Sequence, residues 1–175
     1  MQGNILSIDS DRVAKASPWP HKRLTHYLSR VHMYNSPYGL MKSEVLSKTH
    51  LEKSFPGSDH VLMAELAMLG IFVEIPEPLL RIRKHPGRSF TANRTSSALR
   101  ELFNPGNSKK GLHLDMWSNL HLEVIKSAMI IPPAIRDKVL CTLISLMVPL
   151  YWRLRGFGGR QKRKLLERVS KKRQK

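Results

Sequence analysis

The segment from Phe55 to Gly70 constrains the fold more than any other part of the chain. A Phe-Pro-Gly-Ser turn ends in Ser58, a residue type that caps helices through its side-chain oxygen. Leu62 and Leu66 follow at helical spacing, and the pattern stops at the glycine. The spacing therefore predicts an apolar helix from Asp59 to Leu69 with a defined start and a defined end.

Extended segments are predicted on both sides of this helix. Ile71 to Ile75 is rich in β-branched residues, and Leu79 to Arg83 has the composition of a second strand after a Pro-Glu-Pro turn. Tyr38 to Met41 and Gly3 to Ile8 also favour strands. Helical spacing predicts the other elements, at about 21–32, 43–48, 95–103, 114–129 and 132–150. The sequence thus predicts an α/β chain, α+β as truncated, in which strands precede a run of helices.

The composition is that of a folded protein. The chain has 175 residues, of which 41% are hydrophobic, and this is too apolar for a disordered chain. Its length predicts one domain with an appendage. Cys141 is the single cysteine, which excludes an intrachain disulfide and any site built from several cysteines. Its place in an apolar run predicts a packed side chain rather than a nucleophile.

Positive charge is concentrated at the C-terminal end. Residues 153–175 hold 11 of the 30 basic residues but only one of the 13 acidic ones, so they carry +10 of the net +17. Such a tail is attracted to nucleic acid or to an anionic membrane, and charge alone does not separate the two. The aromatic content of the chain is low, at 7%, which leaves little for base stacking, so nucleic acid is the less favoured partner.

The apolar run from Val139 to Trp152 leaves two alternatives open. At 14 residues it is shorter than the roughly 18 to 20 that cross a bilayer. In the first alternative, the run lies in a membrane interface and the basic tail binds anionic lipid. In the second, the run packs on the domain and the tail is solvated.

Two places could carry chemistry. Asp59 falls in the first turn of the predicted helix, where the helix dipole stabilises a carboxylate, and the alternative is that it only caps the helix with Ser58. Strand alternation puts Arg81, Arg83 and His85 on one face, suited to a phosphate or a carboxylate, and a neutral His85 could also bind a metal. The alternative for this cluster is an edge strand whose charges face water.

Four segments of the chain occur together in a recognisable order. They are YGLMKSEVL from Tyr38, PGSDHVLMAELA from Pro56, GIFVEIPEPL from Gly70 and RKHPGRS from Arg83. In order, spacing and apolar pattern they resemble the C-terminal half of bacterial family 2 glycosyltransferases, over about residues 3–131. That family has the GT-A fold, so the resemblance implies a partial GT-A nucleotide-diphospho-sugar transferase sheet followed by a helical C-terminal extension.

The resemblance also implies roles for individual residues. Asp59 matches the catalytic base of an inverting hexosyltransferase, which takes the proton of the acceptor hydroxyl as its oxygen attacks the anomeric carbon of a nucleotide sugar. His85 falls near the metal, which is Mn or Mg in the complete enzyme. The substrate- and diphosphate-binding positions implied in this way are Gly39, Ser58, Arg81, Arg83 and Arg88.

The resemblance does not extend to the nucleotide-binding half of that family. Asp9-Ser10-Asp11 has the letters of its metal motif, but no βαβ unit precedes it. We expect an acceptor-side half at 1–90, a helical extension at 91–152 and a basic tail at 153–175. The expected function is that of a glycosyltransferase fragment, inactive without its nucleotide-binding half, cytoplasmic or peripheral on the inner face of the cytoplasmic membrane. The alternative is a non-catalytic basic module that binds nucleic acid or anionic membrane.

Overall fold

The computed structural model describes residues 13–30, 36–77, 79–81, 95–103, 116–148 and 150. A short 3-10 helix occupies Ser36–Tyr38. The α-helices are α1 (Pro20–Ser29), α2 (Ser43–Leu46), α3 (Ser58–Leu69), α4 (Ser96–Phe103), α5 (Met116–Ile130) and α6 (135–148, with Leu150 also helical). Their ends agree with the helices predicted from spacing to within about three residues.

Helix α3 is the centre of the structure. Its residues are buried without interruption from Val61 to Met68, as expected for a helix that is apolar on all sides. Helix α1 packs on it through Leu24 and Tyr27, and α5 packs on it through Leu120 and other buried residues. Helix α2 and the 3-10 helix also contact it. The core therefore forms around α3 rather than against a sheet.

The two ends of α3 are fixed in different ways. At its start Gly57 has φ 87, a left-handed conformation that favours glycine. At its end the Arg23 guanidinium, from α1, donates 2.7 Å hydrogen bonds to the carbonyl oxygens of Ala67 and Met68 and a third to that of Ser17. Arg23 thus satisfies carbonyls that a helix end leaves unpaired. Burial lowers the pKa of Arg23 against the opposing effects of the Cys141 thiol and the Asp137 carboxylate.

The prediction of an α/β fold with a partial GT-A sheet is wrong for the described residues, which contain no β-strand. Residues 71–75 and 79–81 are irregular and mostly exposed, and Val73 reaches 79% exposure. Tyr38 ends the 3-10 helix, and 39–41 are irregular. A strand needs a neighbour for its backbone hydrogen bonds and an apolar layer to cover it. Here helices occupy the apolar surface of α3, and no described segment pairs with 71–75.

Other predicted features lie outside the described residues. These are the predicted strand at 3–8, residues 82–83 of the strand at 79–83, and the basic tail at 153–175. The boundaries at 90 and 152 remain predictions. Within the described residues one apolar cluster includes side chains from α1, α3, α5 and α6.

Candidate functional site

Asp59 lies in the first turn of the central helix. Gly57 is the N-cap of α3, and no side chain caps this end with a hydrogen bond. Ser58 is buried as the first helical residue, and its N–H donates to the Phe55 carbonyl oxygen at 3.2 Å. The N-cap residue is therefore Gly57, not Ser58 or Asp59.

The Asp59 carboxylate is half-buried, and its surroundings favour an anion. Its Oδ1 atom accepts a 3.0 Å hydrogen bond from the backbone N–H of His60. The helix dipole adds positive potential at the same place, because the first N–H groups of a helix point out of its start. The site can hold a negative charge close to the surface.

His60 holds the first turn of α3 against α1. Its Nδ1 atom lies 3.2 Å from the hydroxyl oxygen of Tyr27, and that hydroxyl also donates to the His60 carbonyl oxygen at 3.4 Å. The Tyr27 ring is fully buried, so the contact comes from a fixed side chain. In the sequence, the only signal for His60 was its position beside Asp59.

A buried carboxylate lies six residues further along α3. One oxygen of Glu65 accepts the backbone N–H of His50 at 2.8 Å. The other lies 2.7 Å from His50 Nδ1 and accepts the hydroxyl of Ser127, on α5. Glu65 is fully buried, and a buried carboxylate requires such partners. These three residues connect the loop after α2, the central helix and α5.

The loop after α2 is tied to α5 a second time. The ammonium group of Lys53 contacts Glu123, which also pairs with Lys126 one turn along α5. Burial raises the pKa of Glu123, but the hydrogen bonds and charges of Lys126 and Lys53 outweigh it, so the pKa lies below its usual value. Because residues 47–54 lead directly into the turn before Asp59, these contacts restrict the position of the candidate site.

The remaining candidate residues are only partly described. Gly39 is exposed in the loop that precedes α2, and Arg81 is exposed in an irregular segment. Arg83, His85 and Arg88 lie outside the described residues. The structure brings Ser58 and Asp59 together at the start of α3, and the arginine cluster remains a prediction.

The metal implied by the resemblance has no ligand set in the described part of the chain. No group of three or more His, Cys, Asp or Glu side chains that could hold a metal ion occurs there. Across the same residues, no helix has both the length and the apolar character needed to cross a membrane.

A second polar group lies between α1 and α6. His21 Nδ1 and Asp137 Oδ1 are buried 3.9 Å apart, and neither atom has a hydrogen-bond partner among the described residues, although the Arg136 guanidinium lies 3.8 Å from Asp137 Oδ1. Cys141 is fully buried one turn further along α6, as predicted. Burial and the charge of Asp137 raise the pKa of Cys141 to about 12, although the Arg23 charge acts in the opposite direction. The thiol is therefore protonated and inert near neutral pH.

Comparison with known proteins gives no relative. No family model, no curated protein and no solved structure matches the chain. The resemblance to family 2 glycosyltransferases therefore depends on the sequence segments alone.

Proposed function

We propose that this chain carries the acceptor side of an inverting glycosyltransferase, with Asp59 as the general base. The observation that carries the proposal is the half-buried Asp59 carboxylate, held in the first turn of a buried helix whose N-cap is Gly57. The order of the sequence segments around Asp59 supports the reaction class. The proposal depends on this helix and not on a sheet.

The position of Asp59 suits proton abstraction from an acceptor hydroxyl. A general base must be fixed and within hydrogen-bond reach of the proton that it removes. The one hydrogen bond of the carboxylate within the described residues uses Oδ1, which leaves Oδ2 for the acceptor. Helix α3 provides the fixed support, because α1 and α5 both pack on it and Ser127 of α5 binds its Glu65.

The proposed reaction forms one bond and breaks one bond at the anomeric carbon. The acceptor oxygen gives its proton to Asp59 and bonds to that carbon, while the bond from the same carbon to the diphosphate oxygen breaks. Arg81, Arg83 and Arg88 are proposed to neutralise the departing nucleoside diphosphate by electrostatic stabilisation. The resemblance covers only the acceptor-side half of that family, so the proposed turnover also needs a donor-binding part.

The test compares two acids that lie in the first turns of helices. The longest reading frame that contains this chain is expressed, and nucleoside diphosphate release is measured with UDP-, GDP- and dTDP-sugars and a cell-envelope extract as acceptor. Asp59→Asn should lower acceptor-dependent release by about 10²- to 10⁴-fold without changing donor affinity. The control is Glu44→Gln, since Glu44 occupies the first turn of α2 and is exposed. It should retain wild-type release.

Two results would count against the proposal. Wild-type turnover in Asp59→Asn removes the base assignment and leaves the reaction class standing. Absence of acceptor-dependent release from every donor in the wild-type protein rejects the reaction class itself.

A further inference from the structure

Helix α6 turns mostly small and polar side chains towards the core and large apolar side chains towards solvent. The residues that face the core are mostly small or polar, namely Asp137, Cys141, Ser145 and Val148. The opposite face exposes large apolar side chains, each between 52% and 81% exposed, namely Ile135, Val139, Leu143, Leu146, Met147 and Leu150. We call these six residues the α6 stripe. A helix packed on a soluble core normally turns such side chains inward.

The α6 stripe is continuous along the helix. At about 100° per residue its six members fall within an arc of about 120°, centred opposite the buried residues. Arg136 is the only charged residue in this arc, and it lies at the N-terminal end of the helix. Its guanidinium sits 4.6 Å from the centre of the Trp19 ring. Contiguous apolar surface of this kind marks an interaction site, and tryptophan is a residue type enriched at membrane–water interfaces.

We propose that the α6 stripe docks on an anionic membrane surface. Residues 153–175, which follow α6 closely in the chain, carry 11 basic residues and one acidic residue. An anionic bilayer offers an apolar layer for the stripe and negative charge for this segment. Nucleic acid offers charge without an apolar layer, and a second copy of the chain would bring the same sign of charge. Only the lipid surface matches both features.

Docking would place α6 in the plane of the interface. A helix of this length is about 20 Å long, so the whole stripe can contact one leaflet along its side. The buried face of α6 would stay on the core, because Cys141 and Val148 belong to the apolar cluster around α3. The inference does not depend on the proposed function, since no residue of the α6 stripe belongs to the candidate site.

The test measures sedimentation of the full chain with vesicles. One set contains phosphatidylglycerol and phosphatidylcholine in equal amounts, and the other contains phosphatidylcholine alone. The test variant is Leu143→Gln with Leu146→Gln, which keeps helix propensity. The control variant is Leu79→Gln with Leu80→Gln, because Leu80 and Leu143 are each 52% exposed and Leu79 lies outside α6. Far-UV circular dichroism and thermal unfolding establish that both variants fold.

The stripe variant should bind anionic vesicles at least about tenfold more weakly than the wild type, because two half-exposed leucines lose their apolar contact. The control variant should bind within about twofold of the wild type. Binding of the wild type should also weaken on neutral vesicles, since the basic segment contributes to attraction.

Other outcomes would overturn the proposal. Equal binding by the stripe variant would mean that the basic segment alone holds the protein on lipid. Failure of the wild type to bind vesicles, together with salt-sensitive binding to duplex DNA, would identify nucleic acid as the partner. Failure to bind vesicles, together with a dimer that the stripe variant dissociates, would show that a second copy covers α6.

Discussion

Removing a single buried oxygen atom, in Ser127→Ala, should lower the free energy of unfolding by about 2 kcal/mol. The Ser127 hydroxyl donates to the Glu65 carboxylate, and both residues are buried. A hydrogen bond to a charged group contributes about 1.5–3 kcal/mol, more than a neutral one. The serine adds little apolar contact that alanine would lose, so the hydrogen bond accounts for most of the expected change.

Ser145→Ala is the matched control for this prediction. Ser127 is 1% exposed and Ser145 is 2% exposed, and each lies on a helix. The Ser145 hydroxyl donates to the carbonyl oxygen of Cys141, four residues earlier on the same helix. Such back-bonding adds little to stability, so alanine should change the free energy of unfolding by less than about 0.5 kcal/mol. The two variants therefore remove equally buried hydroxyl groups. They differ in the acceptor of the lost hydrogen bond, which is a carboxylate for Ser127 and a backbone carbonyl for Ser145.

A double-mutant cycle with Glu65→Ala isolates the interaction. Glu65→Ala alone should cost about 3 kcal/mol, since it leaves a cavity and removes the acceptor of the Ser127 and His50 donors. In that background Ser127→Ala should cost almost nothing, which gives a coupling energy of about 2 kcal/mol. Urea unfolding at neutral pH, followed by far-UV circular dichroism, measures all four proteins. Equal costs for the two serine variants, or an unchanged cost of Ser127→Ala without Glu65, would refute this reasoning.

Two further predictions concern a backbone position and a thiol. Gly57→Ala should lower stability by about 1–2 kcal/mol in thermal unfolding, because its φ is 87 and a Cβ would lie 3.3 Å from Leu120 Cδ1. Gly70→Ala should be neutral, since φ is −150 and the nearest atom would be 4.0 Å away, and equal losses in the two variants would contradict this explanation. Burial raises the pKa of Cys141 from 9.0 to about 12, so the stability it contributes is complete below about pH 9 and is lost as pH rises towards 12. Alkylation at about pH 8 should be slow in buffer and fast in urea, and equal rates would show that the thiol is accessible in the folded chain.

Helices and strands differed in how well the sequence predicted them. The helix at Ser58–Leu69 was predicted because local signals define it: a glycine turn, apolar residues at helical spacing and a terminating glycine. The segment at 71–75 has β-branched residues, but its composition does not say whether a second strand is available to pair with it. Whether a strand forms depends on a partner elsewhere in the chain, and none is present among the described residues. The error at 71–75 therefore arose from a non-local requirement.

In the candidate site, too, a feature set by neighbouring residues was predicted and a feature set by distant residues was missed. The position of Asp59 in a first helical turn followed from sequence, whereas the N-cap did not, because Gly57 rather than Ser58 occupies that position. The Glu65 network was missed because its partners, His50 and Ser127, lie 15 and 62 residues away. An acidic residue in the middle of an apolar helix was the signal that could have revealed it.

The buried polar groups on α3 determine the direction in which Asp59 points. Helix α3 is apolar on all sides, so burial of its side chains alone does not determine how far it is rotated about its axis. The pairing of Glu65 with His50 and Ser127 fixes that rotation, because only one face can present the carboxylate to both partners. Arg23 fixes the position of α3 along its axis by binding its last carbonyls. Buried polar groups with this role add conformational specificity to the stability that their hydrogen bonds contribute. In this chain they determine which way the first turn of α3, and with it the Asp59 carboxylate, faces.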